Sequence, residues 1–253
     1  MSFHHLDQYA HVDSPVSRRS PTVRLLGTVT IALGAALLPL GAWPQMAGLG
    51  VLVLALAAAA RIPPTAFAMR LAAPLGFVVL VSVAILALAP GEPVARFGPV
   101  AVTDAGLLRF GSVLGRAAVA LGAAVILVST TPFDELVRAL RAVHLPEVVT
   151  TSLGLAYRFL YILNDEVERL RRAARSRNAA AGATPRRRLL MGIAGAALQR
   201  SFSRSERIHR AMLARGFTGE MPALGPAPPH GHPVLEGAGL VILVAAIAGS
   251  ALL

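Results

Sequence analysis

Asp165, Glu166 and Glu168 come nearest in this chain to a catalytic carboxylate cluster, and their surroundings argue against that role. Arg169, Arg171 and Arg172 follow on the same stretch, at the i,i+3 and i,i+4 spacings where opposite charges pair on a helix surface. Ion pairing accounts for the acids without invoking chemistry. His4, His5, Asp7 and His11 carry groups that ligate transition metals, but no spacing among them fixes a tetrahedral or octahedral set. His230 and His232, beside prolines, are weaker candidates still. A G-x-x-x-x-G-K-[ST] phosphate loop requires Lys, and the chain has none. It has no H-E-x-x-H zinc motif, and without cysteine it has neither disulfides nor thiolate metal sites. Its apolar segments offer isolated Ser and Thr, with Arg109 and Arg116, rather than convergent polar groups. The residues therefore assign no catalytic, cofactor-binding or metal-binding site.

What remains is arginine. Sixteen of the 24 basic residues fall between Pro132 and Glu220, against eight acids. Two tripeptides stand out there, Ala174-Arg175-Ser176 and Ala214-Arg215-Gly216, each at the end of a long basic helical stretch. Three readings are open. Clustered Arg can bind anionic lipid head groups. It can bind nucleic acid, although the aromatic residues that would stack bases are missing. Or the helix ends can enter grooves of a folded protein, where a planar guanidinium makes several directed hydrogen bonds. Ala before each Arg, with Ser or Gly after it, keeps both ends slim. Repetition of the tripeptide on consecutive helices favours protein docking.

The elements that must position these ends are mostly apolar. Of 253 residues 55% are hydrophobic and only 15% charged, with a mean hydropathy of +0.63. The excess is concentrated in long runs, which predicts an all-α polytopic membrane protein of about five transmembrane helices, four to six. A polar tail, residues 1–23, carries no signal-peptide pattern and precedes a four-helix region over 24–131. Runs at 25–42 and 46–60 are short for straight spans and predict a tight helical hairpin, with Trp43-Pro44 as its turn and Arg61-Ile62-Pro63-Pro64 as the stop. A third run covers 71–89. A loop then extends to Thr103, and Asp104 caps a fourth helix over 106–129. That helix carries Arg109 and Arg116, seven apart and so on one face. An Arg within a span turns into the bundle or toward a partner, or snorkels to the interface.

A polar module of amphipathic helices occupies 132–220. Thr131-Pro132 predicts an N-cap and N1 proline, with Asp134 and Glu135 in the first turn. Phe133, Leu136, Val137, Leu140 and Val143 form a helical stripe that ends at Leu145-Pro146. A second helix runs from Pro146 to about Ser176, 31 residues or about 46 Å at the α-helical rise. Its apolar residues are Val149, Leu153, Ala156, Leu160, Leu163, Val167, Leu170 and Ala174. Its first half, 148–163, is apolar enough to lie in or against a membrane, and its second half is charged. A third helix opens at Pro185 and ends at Gly216, a residue suited to the left-handed position past a helix. A proline-rich linker, 221–233, leads to a final apolar run, 234–253. The excess of Arg places the module in the cytoplasm. The residues thus describe a membrane-embedded adaptor. The reading from another class is a membrane scaffold whose basic helices bind lipid or nucleic acid, which would show steep salt dependence and indifference to which Arg is removed.

Four stretches resemble a known family. They are His5-Leu6-Asp7-Gln8-Tyr9-Ala10 with Ser14-Pro15, Thr131-Pro132-Phe133-Asp134-Glu135-Leu136 through Leu145-Pro146, Tyr157-Arg158-Phe159, and the pair Ala174-Arg175-Ser176 and Ala214-Arg215-Gly216-Phe217. Over nearly its whole length the chain is similar to the transmembrane T component of energy-coupling factor transporters, of the cobalt-transport CbiQ type. It departs from that pattern in Ser176, where the signature usually has Gly, and in Val16-Ser17 after Ser-Pro. The resemblance implies a bacterial inner-membrane subunit of an importer for cobalt or a related metal such as nickel. Two ATP-binding-cassette ATPase subunits would take the tips at Arg175 and Arg215 into surface grooves. A substrate-binding S component of CbiM type, with a small CbiN-type protein, would pack on the membrane part. Arg116 and Arg158 are candidate bundle or S-component contacts. ATP would be held by the partner subunits, and this chain would bind no cofactor, metal or nucleic acid.

Overall fold

A computed structural model of the chain describes residues 14–88, 93–97, 100–178, 186–219, 239, 244–247 and 249. The His4, His5, Asp7 and His11 set, His230 and His232, and the linkers at 179–185 and 221–233 lie outside those residues. Seven helices are described: α1 (Pro21–Leu37), α2 (Trp43–Ala59), α3 (Pro64–Leu88), α4 (Asp104–Thr130), α5 (Phe133–Ala142), α6 (Glu147–Asn178) and α7 (Arg186–Ala214). Residues 239, 244–247 and 249 of the last apolar run are also helical. The chain divides into two compact units, Met1–Ala139 with Ala227–Leu253, and Leu140–Pro226.

In the first unit α4 is the centre, with α1, α2 and α3 each packed on it. α1 and α2 are joined by a short turn at Gly41 (φ +86°), yet each lies mainly against α4 rather than against the other. The expected tight hairpin is thus a hairpin in connectivity only. Its reason is the surface of α4, where Gly111, Gly115 and Gly122 lie under the Trp43 ring, the Met46 sulfur and a Val53 methyl of α2. Small residues in an apolar helix let a neighbouring helix approach closely, which drives association where lipid removes the hydrophobic effect. The buried core is small and apolar: Ile31, Ala35, Leu49, Val53, Val119, Ala123, Ile126 and Val244 are among its members.

The outside of this unit is apolar too. Met69 is 77% exposed, Phe77 68% and Leu80 69%, all on α3. Monomeric soluble proteins rarely expose contiguous apolar surface on this scale, whereas hydrocarbon is its natural surroundings. α3 and α4, at 25 and 27 residues, are long and apolar enough to cross a bilayer. α1 and α2, at 17 residues each, are about 26 Å long at the α-helical rise. Pro74 sits inside α3, a position that spanning helices tolerate because neighbours re-satisfy the freed carbonyl.

Local differences from the sequence reading have identifiable causes. Trp43-Pro44 opens α2 instead of forming the turn, as N-terminal proline permits. α3 begins at Pro64, seven residues before its apolar run, for the same reason. The stretch before α4 contains a two-stranded antiparallel ribbon, β1 (Pro93–Phe97) and β2 (Val100–Thr103), with Phe97 opposite Val100 and Arg96 opposite Ala101. Val and Phe with one Gly-Pro between the runs carry that preference. Thr103, not Asp104, caps α4: its hydroxyl accepts from the Gly106 amide at 3.1 Å. Asp104 occupies the first turn, where a carboxylate complements the helix dipole.

Candidate docking and coupling site

α6 and α7, in the second unit, pack along one another and end in the two Arg tripeptides. α6 runs two residues past Ser176, to Asn178, so Ala174-Arg175-Ser176 is the last turn of a regular helix, with the Ser176 hydroxyl donating to the Ala173 carbonyl at 2.9 Å. The second signature is built differently. The Gly216 amide donates to the Leu213 carbonyl and the Phe217 amide to the Met212 carbonyl, both at 3.0 Å, and Gly216 has φ +79°. This is a Schellman cap, with Gly in the left-handed position that a Cβ disfavours. Arg215 is the last residue before that turn. Arg175, Ser176, Ala214, Arg215 and Gly216 are exposed and Ala174 is half-buried.

The shafts behind the tips are tied by charge. Glu166 of α6 accepts from Arg200 of α7 and lies 3.4 Å from Arg169. Glu168 pairs with Arg171 at 3.0 Å, and Arg210 with Glu206 at 3.5 Å. The Arg200 hydrogen bond is the main cause holding the Glu166 carboxyl below its ordinary range; partial burial opposes it, and the charges of Arg200, Arg169 and Arg204 reinforce it. Glu166 and Glu168 are thus ion-pair partners, as their spacing predicts, whereas Asp165 has no ion pair among the described residues; the bond to Arg200 spans 34 positions and no local spacing reveals it. Arg175 and Arg215 have no carboxylate partner among the described residues. Acids engage Arg169, Arg171, Arg200 and Arg210 of the shafts, whereas Arg158, Arg172, Arg204 and Arg207, like the two tip arginines, have no ion pair among the described residues.

The apolar faces of α6 and α7 satisfy each other only in part. Phe159, Ile162 and Leu163 face Ser201, Arg204, Ser205 and Ile208 around a cavity of about 170 Å³. Val149 and Leu160 of the predicted stripe stay exposed, as do Val148 beside it and Phe202 of α7. Arg158 is exposed on α6, and its neighbour Tyr157 meets Tyr161 edge-on with the hydroxyls 2.7 Å apart.

Of the two span arginines, only Arg116 turns into the bundle. Its Nη2 donates to the Leu38 carbonyl at 2.6 Å, at the C-terminal end of α1, while Arg109 is exposed near the start of α4. Sequence reasoning missed a third. Arg24, which reads as a flanking charge of the first apolar run, is buried, with its side chain 6% exposed. Its Nε donates to the Arg19 carbonyl at 3.1 Å. Its Nη1 donates to the Thr130 carbonyl and to Thr131 Oγ1, the latter at 2.9 Å, and its Nη2 lies 2.7 Å from Glu135 Oε2. Thr131 therefore does not cap α5. It ends α4, its hydroxyl is taken by Arg24, and the Pro132 carbonyl accepts the first helical bond of α5, from Leu136. The available signal was an Arg inside an apolar helix, which must find acceptors.

The family described as cobalt transport protein, CbiQ, matches residues 13–224. The energy-coupling factor transporter transmembrane protein EcfT of Heliobacterium modesticaldum is 29% identical over 227 residues, 85% of this chain and 84% of the relative. The cobalt transport protein CbiQ of Rhodobacter capsulatus is 29% identical over 199 residues, 77% of each chain. The nickel permease LarQ of Lactiplantibacillus plantarum is 32% identical over 90 residues, 36% of this chain and 33% of the relative. With a bundle whose exterior is apolar in one unit and a pair of Arg-tipped helices in the other, the chain belongs to the CbiQ family: it is a transmembrane T component of an energy-coupling factor transporter, a membrane subunit that performs no catalysis itself.

Proposed function

We propose that this T component serves a bacterial importer for cobalt, and that Arg175 and Arg215 are the points at which two ATP-binding-cassette ATPase subunits dock. The observation that carries the docking assignment is the placement of the two tripeptides: each stands at the end of one of two paired helices and presents an exposed guanidinium that has no acid partner among the described residues. Ala174 and Ala214 keep the ends narrow enough for a groove. The uncovered apolar residues Val148, Val149, Leu160 and Phe202 suit a second partner, an S component of CbiM type with a small CbiN-type protein, with Arg116 serving the bundle and Arg158 free to contact that partner. The excess of Arg over 132–220 supports a cytoplasmic position for the coupling helices, in a cell whose inner membrane holds the bundle. ATP stays on the ATPases, and closure of those subunits moves α6 and α7 as stiff elements.

Cobalt is favoured by the description of the matching family and by the Rhodobacter relative; the nickel permease favours nickel over a shorter stretch. Cells carrying the complete transporter should accumulate cobalt ion in preference to nickel ion, and the reverse preference would reassign the substrate without touching the docking assignment. Arg175→Glu and Arg215→Glu should each release the ATPases on purification while the membrane bundle keeps its thermal unfolding profile. Undiminished co-purification and uptake in both variants would remove these residues from the docking role.

A further inference from the structure

We propose that Arg24 is a positioning residue for coupling, which clamps the first turn of α5 to the start of α1 so that displacement of α5 is carried into the membrane bundle. The proposal rests on the reading of the chain as a T component and adds to it the place where motion enters the bundle.

α5 is the helix that begins in the first unit and ends in the second. The chain passes between the units twice, within α5 and again after Pro226, and α5 is the crossing that lies in a described helix. At the end that meets the bundle, Arg24 grips the first turn of α5, while Val137 and Ala139 further along the helix are buried. Arg24 reaches four acceptors on three segments: the Arg19 carbonyl just before α1, the Thr130 carbonyl and Thr131 hydroxyl at the end of α4, and the Glu135 carboxylate in the first turn of α5. A guanidinium can do this because its donors diverge in one plane; an ammonium concentrates its charge at a point and cannot span the same set. The acceptors lie 106 to 111 positions from Arg24 apart from Arg19.

Apolar packing beside the clamp is incomplete. Beside Arg24 the bundle holds a cleft of about 330 Å³, walled by Val23, Gly27, Ile31, Ala123, Ile126 and Leu127 of α1 and α4. At this level the packing of α1 on α4 leaves space on one side, and the polar clamp bridges the two helices beside it. A cleft also lets α1 shift relative to α4 without collision, so a pull on Glu135 has somewhere to go. Glu135 itself is more exposed than Arg24, 29% against 6% for the side chains, as suits the outer end of a link whose inner end is fixed.

A clamp with this role predicts uncoupling, not disassembly. The test uses the complete transporter reconstituted in liposomes, with radiolabelled cobalt ion and ATP, and reads metal taken up per ATP hydrolysed. Arg24→Lys and the milder Glu135→Gln should assemble with both partner types at wild-type yield and hydrolyse ATP, while uptake per ATP falls about tenfold, a typical size for coupling between distant sites. Because the chain has no cysteine, Arg24→Cys with Glu135→Cys supplies a unique pair. Joining them with a short dithiol-reactive linker should restore uptake per ATP, and the unlinked pair should not. Unchanged uptake per ATP in both single variants would overturn the proposal. So would a loss that tracks lost assembly, or a linked pair no better than the unlinked one. If the wild-type complex itself takes up no metal on ATP addition, the functional reading fails instead, and the two failures are told apart by that control.

Discussion

Gly122→Ala tests whether close approach of α2 to α4 holds the bundle together. A Cβ at Gly122 would stand 2.8 Å from Val53 Cγ1 and 3.5 Å from Phe67 Cζ. Carbon atoms in contact prefer about 3.5–4.0 Å, so the first neighbour must retreat by most of an ångström. It has little room to do so. Val53 is 4% exposed, and a β-branched side chain in a helix has one strongly preferred rotamer. Overpacking of this kind costs about 1–3 kcal/mol, and the better helix propensity of Ala returns up to about 1 kcal/mol. The net loss should be about 1–2 kcal/mol, the small difference of those two terms. Gly50→Ala is the control, since nothing lies within 4 Å of its Cβ position, and it should be neutral or stabilising. Unfolding of the purified protein in detergent, by heat or by added denaturing detergent, measures both. Val53→Ala removes the clashing methyl, so the double variant should be more stable than the sum of the singles by at least about 0.5 kcal/mol, the lower end of coupling between touching residues. Equal stability of Gly122→Ala and Gly50→Ala, or strict additivity with Val53→Ala, would refute the close-approach account.

Two further outcomes follow from the second unit and the end of α5. Glu166 has its carboxyl held below the ordinary range chiefly by Arg200, so its contribution to holding α6 against α7 is complete above that range and is lost as pH falls through the lowered value. Distance measurement between spin labels on the two helices should show separation only at strongly acidic pH, and Glu166→Gln should be looser at neutral pH and flat with pH; separation that begins above the ordinary Glu range would contradict this. His144 holds φ +62° as its amide donates to the Arg141 carbonyl and that of Leu145 to the Leu140 carbonyl, the same cap that Gly216 makes at α7. A side chain in the left-handed region costs about 1–2 kcal/mol, so His144→Gly should raise the unfolding temperature and Gly216→Val lower it; matched shifts of the same sign would show that backbone conformation is not what these positions select.

The helices were legible where one local signal dominated. Pro63-Pro64 ends one apolar run and opens the next helix, Leu145-Pro146 ends α5, and the change from apolar to charged residues after Leu163 runs through the single long helix α6. The paired Arg tripeptides were legible because they repeat, and the structure puts both at helix ends. What was illegible depended on distance in sequence. Nothing near Arg24 announces Glu135, and nothing near Glu166 announces Arg200. Gly111 and Gly115 in an apolar helix carry the small-xxx-small spacing of a close helix contact, a signal the composition buried among 23 glycines. The ribbon before α4 was hidden for another reason: runs of five and four residues beside Gly and Pro read as loop until they pair.

The two tips share a chemistry but not a construction, and the difference bears on how charge reversal there should be read. Both guanidiniums sit at helix C-termini, where unpaired carbonyls leave partial negative charge and a cation contributes about 0.3–1 kcal/mol. Glu at either position loses that term as well as any partner. At Arg175 the loss falls on a regular last turn that continues to Asn178, which can fray without altering the shaft behind it. At Arg215 it falls on the residue before Gly216, whose amide and that of Phe217 close the end of α7 onto Leu213 and Met212. Reversal at Arg215 therefore strains the cap that sets the direction of the tip, whereas reversal at Arg175 removes charge alone. Arg→Gln at each site keeps a hydrogen-bonding side chain without placing an anion on the dipole. If docking depends on the guanidinium itself, Gln should release the ATPases nearly as fully as Glu at Arg175, and Glu should exceed Gln only at Arg215. Equal tolerance of Gln at both sites would mean that the helix ends, and not their arginines, are what the partner holds.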